Sequence, residues 1–111
     1  MPKRTTELYL QDILDCVRRI SSYSKGFSFR DLQLEAMAAD AIVRNIEVIG
    51  EASRHIPADF KKKHASIPWA DMVAMRNKCI HEYFGVDLEI LWKTIKDDLP
   101  PIQKVIKKLI H

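Results

Sequence analysis

The sequence predicts an all-α fold, and three observations carry that prediction. Only 3 Gly and 5 Pro occur in 111 residues, so long stretches run free of helix breakers. Apolar residues recur at helical spacing along most of the chain. No alternating strand pattern, hairpin signature or internal repeat interrupts them.

At about 100° per residue, Tyr9, Leu10, Ile13, Cys16, Val17 and Ile20 share one face of a first helix, with Asp12, Asp15, Arg18 and Arg19 opposite. Thr5 or Thr6 caps its start, and the serines and glycine of residues 21–26 end it. A second helix begins at Ser28, with Asp31 three positions on completing a capping-box-like pair. It is expected to run to about Arg54, because Leu34, Ala38, Ala41, Ile42, Ile46, Ile49 and Ala52 keep the spacing and Pro57 stops it. Gly50 is a weak point in it rather than an end. Residues 57–66 are expected to hold one or two helical turns.

Pro68 stands where proline is preferred, at the first position of a helix that is expected to reach Tyr83 or Phe84 and stop at Gly85. Asp87 caps the next, which carries Leu88, Leu91, Trp92, Ile95 and Leu99 on one face. Pro100-Pro101 interrupts the pattern, and Ile102, Val105, Ile106, Leu109 and Ile110 resume it against Lys104, Lys107 and Lys108. The last segment is therefore a kinked helix or two consecutive ones. Short connections favour antiparallel neighbours, so the expected architecture is a four- to five-helix up-and-down bundle, a single domain over residues 1–111.

Composition narrows the class of function without giving it. Apolar residues at 47% and charged residues at 30% describe a globular chain rather than a disordered one. The apolar runs fall far short of the roughly 20 residues that span a bilayer, and residues 1–6 are polar, so neither membrane insertion nor export is expected. Cys16 and Cys79 stand apart from any Cys/His grouping, which argues against a disulfide framework or zinc site and for a reducing cytoplasm. The net charge of +3 is compatible with a polyanionic partner and too small to require one.

The informative segment is the helix after Pro68. With Arg76 at 0°, Trp69, Met72, Val73, Cys79, Ile80 and Tyr83 all lie within about 60° of it. The arginine thus reads as the centre of an apolar face, and a guanidinium buried without a partner would cost several kcal/mol, so it is paired or lines a cleft. Asn77 and His81, four apart, would stack on one edge of that face, with Tyr83 two turns beyond Arg76. Asn45, on the apolar side of the second helix, also requires a hydrogen-bond partner. One reading of Arg76 is an ion pair with Glu35, Glu47 or Glu51. The other is chemical: Arg holds phosphate through paired hydrogen bonds and His transfers protons near neutral pH, a combination suited to phosphodiester chemistry.

The run Arg76-Asn77-Lys78-Cys79-Ile80-His81-Glu82-Tyr83 is an R-x4-H-x-Y arrangement with a polar residue directly after the arginine. It resembles the HEPN superfamily. The blocks at residues 40–52, Ile67-Pro68-Trp69, residues 83–92 and Asp98-Leu99-Pro100-Pro101 resemble, more narrowly, the HepT toxins of HepT/MntA toxin–antitoxin pairs, and the resemblance covers essentially the whole chain. It implies an α-helical homodimer whose paired motifs form a positively lined cleft, acting as a metal-independent endoribonuclease with no cofactor. In such an enzyme the RNA 2′-OH attacks the adjacent phosphate. His81 would serve as general acid/base, Arg76 would stabilise charge on phosphorus, and Asn77 would position phosphate or the imidazole. The resemblance also marks Tyr83 as the residue an MntA-like nucleotidyltransferase antitoxin modifies with AMP.

Two other functions compete: a catalytically weak nucleotide- or RNA-binding regulatory partner of a minimal nucleotidyltransferase, and a purely structural dimerisation bundle. Lys61-Lys62-Lys63-His64 reads as a solvated run or as a guide for RNA phosphates. Trp69 and Trp92 read as core or interface, and His55, His64 and His111 need no function. Cys79 and His81 are separated by about 200° on a helix, which argues against a nucleophile pair.

Overall fold

The computed structural model describes residues 5–81 and 85–110, His81 by its backbone alone. The all-α expectation holds. Helix α1 (Thr6–Tyr23) is followed by α2 (Phe29–Leu34), α3 (Ala36–Arg54), α4 (Ala58–Lys63) and α5 (Trp69–Cys79). After a small hairpin of β1 (Ile80–His81) and β2 (Gly85–Val86) come α6 (Leu88–Lys93), a π-helical turn (Thr94–Asp98) and α7 (Leu99–Leu109).

Helix α3 lies between α1 and α5, while α7 packs on α1 and α6 lies against α2 and α5. The Tyr9 ring near the start of α1 stacks on His55 just past the end of α3, so those two helices run antiparallel. Their shared core holds Leu10, Ile13, Val17 and Ile20 from α1 and Ile42, Ile46 and Ile49 from α3. Met72 and Cys79 of α5, Leu91 of α6 and Ile106 of α7 complete it. Burying such side chains contributes about 1.5–3 kcal/mol each relative to exposure.

Several local expectations are met by their stated causes. The Thr5 hydroxyl accepts the Leu8 N–H, Ser28 and Asp31 exchange both bonds of a capping box, and the Asp87 carboxylate accepts the Ile90 N–H. These bonds satisfy N–H groups that a helix start leaves without partners. The Ser28 backbone N–H and hydroxyl also hold the Asp31 carboxyl below the usual carboxylate range. Asn45 donates its amide to Ala41 O at 2.8 Å, back along its own helix.

Two helix boundaries differ from the expected ones. The helix predicted from Ser28 to Arg54 is broken at Glu35, whose backbone (φ −101°, ψ 73°) closes α2 and opens α3. Neither Gly nor Pro stands there. The corner turns α2 so that it buries Leu32 while packing on both α3 and α6, and it leaves Leu34 exposed instead of in the core. At Pro100-Pro101 the missing N–H groups are accommodated one turn earlier: Leu99 N–H reaches back five residues to Thr94 O, and α7 continues with both prolines in its first turn.

Gly50 proves to be a contact point. A Cβ there would stand 3.3 Å from Val73 O and 3.5 Å from Met72 O, both backbone atoms of α5. The absence of a side chain therefore sets how closely α3 and α5 approach. Gly50→Val is expected to lower stability by about 1–3 kcal/mol, the usual effect of overpacking. Urea unfolding would measure it, and an unchanged midpoint would show that α5 yields freely at this point.

Candidate active site

The site is built where α5 ends. The helix stops at Cys79, short of the predicted end at Tyr83 or Phe84, because the chain turns back on itself. Ile80 is already extended (φ −122°, ψ 128°), and Ile80 pairs with Val86 and His81 with Gly85 in an antiparallel ladder. The Asp87 N–H bonds to Cys79 O at 2.7 Å, filling one of the carbonyls a helix end leaves open. Gly85, with φ +76°, supplies the left-handed conformation of the return strand rather than a helix stop. His81 thus leaves the helix, and the expected stacking of His81 above Asn77 does not occur. The expected alignment of Tyr83 with Arg76 falls on residues 82–84, which lie outside the described residues.

The early end of α5 also moves its apolar face. Ile80, now in an extended strand, no longer belongs to it, whereas Met75, about 100° from Arg76 on the far side, is 4% exposed and does. The buried arc is Trp69, Met72, Met75 and Cys79, so Arg76 stands at its edge instead of its centre. Its side chain is 48% exposed, with Nε 4.0 Å from the Glu47 carboxylate, which is 38% exposed. Of the three carboxylates considered from sequence, Glu47 is the one in place, and an ion pair this open contributes at most about 1 kcal/mol. The expected pairing is present, but at the surface rather than in the core: an arginine stem can run along apolar surface while its head stays in water.

Arg76 Nη1 donates to Asn77 Oδ1 at 3.4 Å, a long bond between neighbours that are both exposed. Glu47, Gly50, Glu51, Arg54, Val73, Arg76 and Asn77 line a depression of ≈ 350 Å³ between α3 and α5. Within it the guanidinium is held on its Nε side by Glu47 and on one Nη by Asn77, leaving donors for an anion. Glu47, Gly50, Glu51 and Arg54 of α3 are the contributors that a motif on α5 alone does not mark. Arg76 and Asn77 are brought together as expected, and the backbone carries His81 just past them.

Other polar candidates have structural employment. Burial pushes the Cys79 thiol upward in pKa, with an opposing effect from Thr94, whose hydroxyl is 3.8 Å from the sulfur. A buried thiol of raised pKa is a poor nucleophile. Trp69 is 7% exposed and donates its indole N–H to His64 O, and Trp92 packs near Phe29 with Lys96 over its ring. His55 stacks on Tyr9 and bonds Glu51 at 3.1 Å. Among the described residues no group of three or more His, Cys, Asp or Glu side chains is arranged to hold a metal ion, and no helix is long and apolar enough to cross a membrane.

The all-α bundle, with Arg76 and Asn77 in the last turn of α5 and His81 in the strand just after it, is consistent with a HEPN-like fold. The chain belongs to the HepT-like ribonuclease family, whose description, Ribonuclease HepT-like, matches residues 13–109. It is 43% identical to a Thermococcus cleftensis protein named "Probable ribonuclease HepT", over 96% of this chain and 97% of that one. Proteins each named as a "Putative RNase" show 39% identity in Methanocaldococcus jannaschii and 38% in Caldanaerobacter subterraneus subsp. tengcongensis. The first covers 96% of this chain and 98% of its own, the second 97% and 96%. No solved structure matches the chain.

Proposed function

We propose that the protein is a metal-independent endoribonuclease and the toxin of a toxin–antitoxin pair, acting in the cytoplasm as a single-domain homodimer that needs no cofactor. The observation that carries this reading is the complete Arg76-Asn77…His81-x-Tyr83 motif in a chain of the HepT-like ribonuclease family, with the Arg76 guanidinium half exposed rather than locked in a core. In the proposed reaction the ribose 2′-OH loses its proton and attacks the adjacent phosphorus. The bond to the 5′-oxygen breaks, leaving a 2′,3′-cyclic phosphate and a 5′-OH. His81 assists the proton transfers, Arg76 neutralises charge building on the phosphoryl oxygens, and Asn77 offers its amide to phosphate or imidazole.

One histidine per motif gives a reason for two chains. Removing a proton from the 2′-OH and delivering one to the leaving oxygen calls for a base and an acid, and paired motifs supply both. Sedimentation at micromolar concentration is expected to show a dimer, and a monomer that cleaves RNA at full rate would remove this argument. The partner is an MntA-like nucleotidyltransferase antitoxin that modifies Tyr83. The competing reading, a weak binding module governed by such an enzyme, is separated from a nuclease by cleavage of RNA by the purified wild-type chain with end-group analysis of its products.

A further inference from the structure

The lysines of α4 play no part in the reaction above, yet they stand at the other end of the helix that carries Arg76. Lys61, Lys62 and Lys63 form the last turn of α4. Lys61 and Lys62 line a shallow cleft of ≈ 410 Å³ with Pro68, Trp69, Ala70 and Asp71 at the start of α5. The depression holding Arg76 and Asn77 borders the far end of the same helix and contains Arg54 as well. Trp69, Ala70, Val73, Arg76 and Asn77 lie within about 120° of one another on α5, and Trp69 to Arg76 spans about 10 Å along its axis. One face of α5 therefore joins the two hollows.

Their electrostatics differ. At the Arg76 end each cation has a carboxylate beside it, Glu47 by Arg76 and Glu51 by Arg54. At the α4 end, the Asp71 carboxylate is engaged by Lys78 at 3.9 Å, and no ion pair among the described residues involves Lys61 or Lys62. Two unpaired ammonium groups beside a shallow cleft suit a polyanion that lies along the surface. Lysine serves such a ligand as a point charge for backbone phosphates, without reading bases.

We propose that the α4–α5 cleft is a phosphate-binding exosite for RNA, in which Lys61 and Lys62 hold the strand's backbone a few nucleotides from the bond cleaved beside Arg76. The proposal rests on the ribonuclease reading and adds to it a second contact that sets substrate length. Binding of a labelled 2′-O-methyl RNA, which cannot be cut by 2′-OH attack, tests it without catalysis. Lys61→Glu/Lys62→Glu is expected to weaken binding and to flatten the dependence of log Kd on log salt by about 1.4, two contacts at roughly 0.7 each for a single strand. Lys107→Glu/Lys108→Glu, the same charge change on α7, is expected to keep the wild-type slope. In cleavage, the α4 variant is expected to show a raised KM on long RNA and an unchanged kcat/KM on a dinucleotide too short to reach α4. An α4 variant with wild-type affinity and slope, or an α7 control that loses as much, overturns the exosite while wild-type cleavage leaves the nuclease reading standing. A wild-type chain that neither binds nor cleaves RNA overturns both.

Discussion

Alanine at His81 is expected to slow RNA cleavage by about 10²–10⁴, the usual loss when a positioned acid or base is removed. Arg76→Ala is expected to lower it by about 10²–10³, as for removal of a donor that meets developing charge. Both variants should remain folded. The backbone pairing of His81 with Gly85 needs no side chain, and Arg76 is half exposed, with an open ion pair to Glu47 contributing at most about 1 kcal/mol. Circular dichroism and melting temperature would check this. Had Arg76 been buried, its removal would have stranded a carboxylate in the core and confused folding with chemistry, so its exposure makes it a clean probe. The wild-type products are expected to end in 2′,3′-cyclic phosphate and 5′-OH, and a chelator is expected to leave the rate unchanged. Wild-type cutting by His81→Ala, or loss of activity on chelation, would require a different mechanism.

How far the sequence could be read depended on whether a feature was local. Caps at Thr5, Ser28 and Asp87 were legible because each is a side chain bonding its own next turn. The core stripes of α1 and α7 were legible from period alone. The corner at Glu35 was not, because it has no Gly or Pro signal and follows from the packing of α2 against α3 and α6. The end of α5 was missed for a related reason. Residues 80–83 keep helical apolar spacing, but the bonds from Val86 and Asp87, beyond one helical turn, draw the chain out of the helix. That one boundary altered the site reading: it removed Ile80 from the apolar face, moved Arg76 to the face's edge and took His81 off the helix. Residue identities in the motif pointed to the chemistry, whereas the geometry around them depended on a hairpin with no signal in the motif itself. The close approach at Gly50 was equally hidden, since a glycine inside a helix pattern reads as weakness until its neighbour's carbonyls are known.

Co-expression with an MntA-like nucleotidyltransferase is expected to add mass to the wild-type chain in steps of one AMP and to abolish its RNA cleavage. The proposed acceptor is Tyr83, and the chemistry requires its phenol oxygen to attack the α-phosphorus of ATP, releasing pyrophosphate and the phenolic proton. Tyr83 follows His81 by two residues and precedes Gly85, whose left-handed backbone returns the chain toward α6. A modification there falls in the same short connection as the proposed acid/base and a few residues from Arg76. Each AMP brings a negative phosphate that can take the guanidinium's free donors, together with bulk beside the scissile position, so charge and volume act in the same direction. The Glu47 pair does not shield Arg76 from this, because at 4.0 Å and half exposed it leaves most of the guanidinium's donors open. Tyr83→Phe is expected to gain no mass and to escape inhibition by the partner. This outcome separates covalent control from simple binding, which would inhibit both forms alike. Mass added equally to Tyr83→Phe would place the acceptor elsewhere, and full-rate cleavage by the modified wild type would mean that the modification does not control the site.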